Sequence, residues 1–153
     1  MSMEATKMSN EWIKRNHFRE LHCLTEYCRK VTEDLLYNYR ISYNAYIILN
    51  FVHDLPETTQ YEIVKNTLFS TQRVNQLVNS LYKEGMIHRN ERDMKLKKLS
   101  ITRLGMATVA EIESKLIHHF KALGITEKQM NDVANSLRII NFQIKLGSKL
   151  ENQ

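Results

Sequence analysis

Residues 70–102, STQRVNQLVNSLYKEGMIHRNERDMKLKKLSIT, decide the fold. Ser70 is a good N-cap, and Val74, Leu77, Val78 and Leu81 then recur at the three-and-four spacing of one helical face. Gln72, Arg73, Asn75, Gln76 and Asn79 fall on the other face. Gly85 stands just past the end, where a helix commonly closes on a left-handed residue. Met86–Arg89 and Lys98–Thr102 then read as two short β-like runs separated by charged residues, which predicts a hairpin.

Working outward, Thr59 caps a short helix running to about Lys65, so the middle of the chain reads helix, short helix, turn, helix, hairpin. A helix pair followed directly by a basic hairpin is a helix-turn-helix with a wing. Before it, Ser42 caps a helix over Tyr43–Val52, which His53–Asp54–Leu55–Pro56 ends, because the residue before proline disfavours helix. From Glu11 to about Tyr39, Ile13, His17, Leu21, Leu24, Cys28, Val31 and Leu35 mark a long helix with one buried stripe, widened by Leu36, Tyr37 and Tyr39. After the hairpin, helix resumes near Arg103 with Val109, Ile112, Leu116, Phe120 and Leu123, until Gly124 breaks it. Thr126 caps a last helix striped by Met130, Val133, Ala134, Leu137, Ile140 and Ile144.

Composition agrees with a mainly α chain carrying a small β-hairpin wing. Four glycines and one proline in 153 residues are too few for the turns of a sandwich or barrel. No apolar run approaches the ~18 residues of a membrane span, and residues 1–10 lack the order of a secretory signal. Cys23 and Cys28, five residues apart on one helix, would sit about 140° apart around its axis, beyond easy bridging. A reducing, cytoplasmic location is therefore expected.

The charge is concentrated. Arg89, Arg92, Lys95, Lys97, Lys98 and Arg103 face only Glu91 and Asp93, so +4 of the chain's +5 lies within sixteen residues. That favours a polyanion partner. The helix beside this segment has no carboxylate from Ser70 to Tyr82. An ordinary solvated face mixes Glu with Lys, because such pairs stabilise it. Amides and arginine are instead the side chains that bridge base edges in the major groove. The residues expected to meet DNA are thus Ser70, Thr71, Gln72, Arg73, Asn75, Gln76 and Asn79 on the helix, and Arg89, Arg92, Lys95, Lys97 and Lys98 in the wing, with Asp93 two positions before Lys95.

Residues 41–105 resemble the DNA-binding lobe of the MarR family of bacterial transcription regulators. The likeness is carried by Ile41–Leu49, Thr59–Val64, Val74–Leu81 with Gly85–Met86–Ile87, and most specifically by Arg89, Asp93-x-Lys95 and Leu99-x-Ile101–Thr102-x-x-Gly105. It implies a winged helix-turn-helix core at 41–105 within one protomer of 1–153, with dimerisation helices at 11–39 and 106–147. It implies a homodimer on a pseudo-palindromic double-stranded operator, acting as a repressor in the family's commonest behaviour. Three positions depart from the family: Lys95 replaces the usual arginine, Leu68 a common glycine, and Thr67 a common core leucine. Lysine keeps the charge at the wing but loses the planar fork.

The resemblance also implies release by a small lipophilic or phenolic effector, with His17, Tyr37, Tyr39, Tyr43, Tyr46 and Phe51 as candidates to line its pocket. Packing between helices is the plainer reading of those residues. Some relatives sense oxidants through a cysteine near tyrosines, which makes Cys23, with Tyr27, Tyr43 and Tyr46, a redox candidate. Aligned on Leu35–Leu36, however, Cys23 sits several residues too close to the second helix. His118 and His119 diverge by about 100° on a helix, so no metal site is expected, nor any cofactor. With no P-loop, dinucleotide fingerprint or nucleophile elbow, catalysis is not expected either. A winged-helix module that binds protein is the alternative of a different class; such modules commonly lose the basic wing.

Overall fold

The computed structural model describes the backbone of residues 3–90 and 97–151, and side chains over 16–90 and 97–148. Six α-helices and one hairpin follow in order: α1 (Met3–Leu36), α2 (Tyr43–Asp54), α3 (Gln60–Thr67), α4 (Thr71–Lys83), β1 (Ile87–Arg89), β2 (Leu99–Ile101), α5 (Arg103–Ala122) and α6 (Glu127–Glu151). The strands pair antiparallel, Ile87 with Ile101 and Arg89 with Leu99. This is a winged helix-turn-helix flanked by long helices.

The helix starts follow from side-chain caps. Ser42 accepts from the N–H of Ala45 at 3.2 Å, and Ser70 from that of Arg73 at 3.2 Å. Thr59 and Glu62 form a reciprocal capping box, in which the Glu62 carboxylate takes the Thr59 N–H at 2.7 Å. These bonds hold the Glu62 carboxyl below the usual range. Thr126 and Gln129 repeat the arrangement ahead of α6. At the end of α4, the N–H groups of Gly85 and Met86 return to Tyr82 and Leu81, with Gly85 at φ +72°. That closure needs a left-handed residue, and glycine adopts it without strain.

The core gathers around α2. Ala45, Ile48, Leu49 and Val52 bury against Val74, Val78 and Leu81 of α4, Ile63 of α3, Leu99 of β2, and Val109 and Ile112 of α5. Complete burial of such side chains contributes on the order of 1.5–3 kcal/mol each. Gly105 sits where α5 crosses the base of the hairpin. A Cβ there would lie 2.3 Å from the Met86 carbonyl oxygen and 2.7 Å from Ile101 Cγ1, so only glycine fits.

Two expectations about the first helix are corrected. Regular helix ends at Leu36, and residues 37–39 form a 3-10 turn closed by Arg40 at φ +58°. The left-handed Arg40 then turns the chain toward α2. The buried stripe also fails to reach Tyr37, which is 85% exposed, or His17 and Leu21, which are exposed. The same holds along α6, where Ile139, Ile140, Phe142 and Ile144 are all exposed.

Candidate nucleic-acid interface

On α4, Val74, Leu77, Val78 and Leu81 are buried. At about 100° per residue, the line directly opposite them is Gln72, Gln76, Asn79 and Lys83. Arg73 flanks this line on one side and Asn75 on the other, and all six are exposed. The sequence-predicted reading face is therefore brought together on one surface. Ser70 caps the helix and Thr71 begins it, both exposed. The helix N-terminus itself favours a phosphate.

The turn before α4 is shaped by Leu68 and Thr67. Leu68 takes the left-handed conformation, at φ +61°. The Thr67 hydroxyl donates to the Ile63 carbonyl at 2.7 Å and accepts from the Phe69 N–H at 3.3 Å. A leucine at 67 would make neither bond.

The wing divides into residues with different partners. Arg89 turns back onto α4: its guanidinium lies 4.7 Å over the Tyr82 ring and donates to Asn79 Oδ1. Lys98 pairs with Glu57 at 3.3 Å. Its backbone bridges to Thr59, and the Leu99 N–H reaches the Thr58 carbonyl at 2.8 Å, so the segment before α3 joins the hairpin edge. Lys97 is exposed, at φ +26°. The expected wing residues Arg92, Asp93 and Lys95 lie outside the described residues.

The aromatic residues expected around an effector do not all converge in one protomer. His17 and Tyr37 stand twenty residues apart along α1 and its 3-10 extension, about 30 Å. Tyr39 donates to Glu111 of α5, which also pairs with Lys115 at 2.6 Å; the phenol is pushed up to about 12 by that carboxylate. Burial pushes Tyr46 up to about 12 as well, and raises Tyr43. Phe51 packs against the core. A separate open groove between α3 and α6 is lined by Asn66, Arg138, Asn141, Phe142, Lys145 and Leu146, none of them among those candidates.

Cys23 is exposed, and Tyr27 packs instead on His119 and Phe120, with ring centroids 6.4 and 6.3 Å away. Cys28, not Cys23, is the cysteine whose charge reaches Tyr43. Burial raises its thiol, the opposite of an activated thiolate. Sequence reasoning missed two contributors, Tyr82 and Glu57. Tyr82, three residues after Asn79 on α4, could have been found from helical spacing; Glu57 carried no local signal.

Among the described residues, no helix is long and apolar enough to cross a membrane, and no group of three or more His, Cys, Asp or Glu could hold a metal ion. Residues 41–94 match the sequence model of the MarR family. No curated protein sequence matches the chain. Among solved structures, a Staphylococcus aureus MarR in complex with salicylate and kanamycin is similar at TM-score 0.74 and 18% identity, over 89% of this chain and 95% of that one. A MarR-family regulator from Listeria monocytogenes complexed with a 26-mer DNA superposes at TM-score 0.70 and 18% identity, over 84% and 88% of the two chains. CouR from Rhodococcus jostii bound to p-coumaroyl-CoA follows at TM-score 0.67 and 18% identity, over 80% and 88%.

Proposed function

From the premise that the winged-helix lobe of this chain belongs to the MarR family, we propose that this DNA-binding transcription regulator is sequence-specific and works as a homodimeric repressor on a pseudo-palindromic operator. One observation carries the reading: an acid-free line of Gln72, Gln76, Asn79 and Lys83 stands opposite the buried face of α4, flanked by Arg73 and next to the basic hairpin. Amide and guanidinium groups on an exposed helix can bridge base edges, while lysines beside them neutralise phosphates. The DNA-bound Listeria structure of the same fold supports that use.

The homodimer is supported by apolar side chains left exposed on the flanking helices, among them Phe18, Ile117, Ile139 and Phe142. A second copy packed against them would remove that apolar surface from water. Two helices α4 would then address half-sites about one turn of DNA apart (~34 Å). Release by a small lipophilic or phenolic effector is supported by the salicylate and p-coumaroyl-CoA complexes of similar structures.

Selection of bound fragments from genomic DNA tests the reading, followed by titration of the selected and a scrambled duplex across a salt series. A pseudo-palindromic consensus bound at least a hundredfold more tightly than the scrambled duplex is expected. Equal affinity for both duplexes would remove sequence reading. Absence of binding at low salt would favour a protein-interaction module. Added salicylate is the first effector probe, with loss of the operator complex as the expected readout.

A further inference from the structure

Arg89 ends β1, yet its side chain does not run out along the wing. It crosses to the recognition helix, where the guanidinium covers the Tyr82 ring at 4.7 Å and donates through Nη2 to Asn79 Oδ1. The residue is half-buried, and its Nε is buried without an acceptor among the described residues. A cation spread over an aromatic face and bound to an amide is poorly placed to reach a phosphate.

The contact also fixes Asn79. Arginine has donors only, so the amide must present its oxygen to Arg89 and turn its NH2 group away. Asn79 is exposed on the line opposite the buried face of α4, between Gln76 and Lys83. An asparagine that reads adenine does so with both atoms, accepting from N6 and donating to N7. With its oxygen turned to Arg89, Asn79 presents its NH2 group outward, suited to a purine N7, guanine O6 or thymine O4.

We infer that Arg89 is a positioning residue of the recognition helix, which orients the Asn79 amide so that its NH2 group is the one presented to DNA. The inference rests on the DNA-binding reading above. It also moves Arg89 out of the set of wing cations that contact the backbone.

A double-mutant cycle on the selected operator tests it. Arg89→Met keeps an unbranched chain against Tyr82 and removes the donor. It is expected to lower the ratio of operator to scrambled-duplex affinity about tenfold, as does Asn79→Ala, with no further loss in the double variant. The salt dependence of Arg89→Met should match the wild type, because no phosphate contact is lost. A slope reduced by about 0.9 per lost contact, or losses that multiply in the double variant, would overturn the inference while leaving DNA binding intact. If Arg89→Met does not fold, Arg89→Lys serves, since it keeps a donor and the charge. It should hold the affinity ratio within about threefold, and a larger loss at an unchanged melting midpoint overturns the positioning role. Failure of the wild type to bind any duplex would remove the DNA reading, and this inference with it.

Discussion

The hydroxyl of Thr102 donates to the carbonyl oxygen of Gly85 at 2.7 Å, joining the start of α5 to the residue that closes α4. The Thr102 hydroxyl oxygen also accepts the Gly105 N–H at 3.0 Å, and the Thr102 N–H reaches the Met86 carbonyl at 3.0 Å. One side chain thus ties the end of α4 to the start of α5.

Thr102→Ala removes both the cap and the bridge. A loss of about 1–2 kcal/mol is expected in urea unfolding, with Thr102→Ser recovering most of it. A midpoint for Thr102→Ala indistinguishable from wild type would show that the bridge contributes nothing.

Gly105→Ala forces a methyl group to within 2.3 Å of the Met86 carbonyl oxygen. Backbone on both sides must move, so a loss of about 1–3 kcal/mol is expected despite alanine's better helix propensity. Thermal melting checks this; a stabilised variant would mean that α5 and the hairpin base are not packed this closely in solution.

Leu68 holds a left-handed conformation while 63% exposed. Leu68→Gly relieves strain of about 1–2 kcal/mol, part of which the freer unfolded chain takes back. A net gain of roughly 0.5–1 kcal/mol in chemical denaturation is expected, and a net loss would count against the left-handed turn.

For DNA, Arg73→Ala and Gln76→Ala should lower discrimination between operator and scrambled duplex. Lys97→Ala and Lys95→Ala should instead weaken binding to both duplexes and reduce the salt slope by about 0.9 for each phosphate lost. Lys98→Ala should do less, because Glu57 already neutralises that charge. Equal loss on both duplexes for Arg73→Ala would argue against base reading.

High pH should destabilise the fold through its tyrosines. Tyr39 and Tyr46 sit at about 12 in the folded state against the ordinary ~10. The neutral phenols are the favoured form, so their contribution is complete below pH ~10 and lost as pH rises through 12. Unfolding free energy measured from pH 9 to 11.5 should fall, and fall less steeply in Tyr39→Phe. An identical slope in that variant would dissociate Tyr39 from Glu111.

The helices, the hairpin and the exposed polar face of α4 were legible because their causes are local. Ser42, Thr59 and Ser70 bond to residues three positions on, Gly85 closes a helix within five residues, and Val74, Leu77, Val78 and Leu81 share a face by spacing alone. Residues 41–94 carried enough of that pattern to match the sequence model of the MarR family.

Partnerships across distant segments were not written in that pattern. Arg89 and Lys98 look alike in sequence as wing cations, yet one turns onto Asn79 and Tyr82 and the other pairs with Glu57, forty-one positions away. Tyr39 reads as one more residue of a buried stripe until Glu111 takes its hydroxyl, and Cys23 rather than Cys28 looked close to the tyrosines until the helices were set against one another. Spacing and capping report which face of an element is apolar and where it begins. Which charge meets which partner depends on how the elements pack, and that was decided only in the tertiary structure.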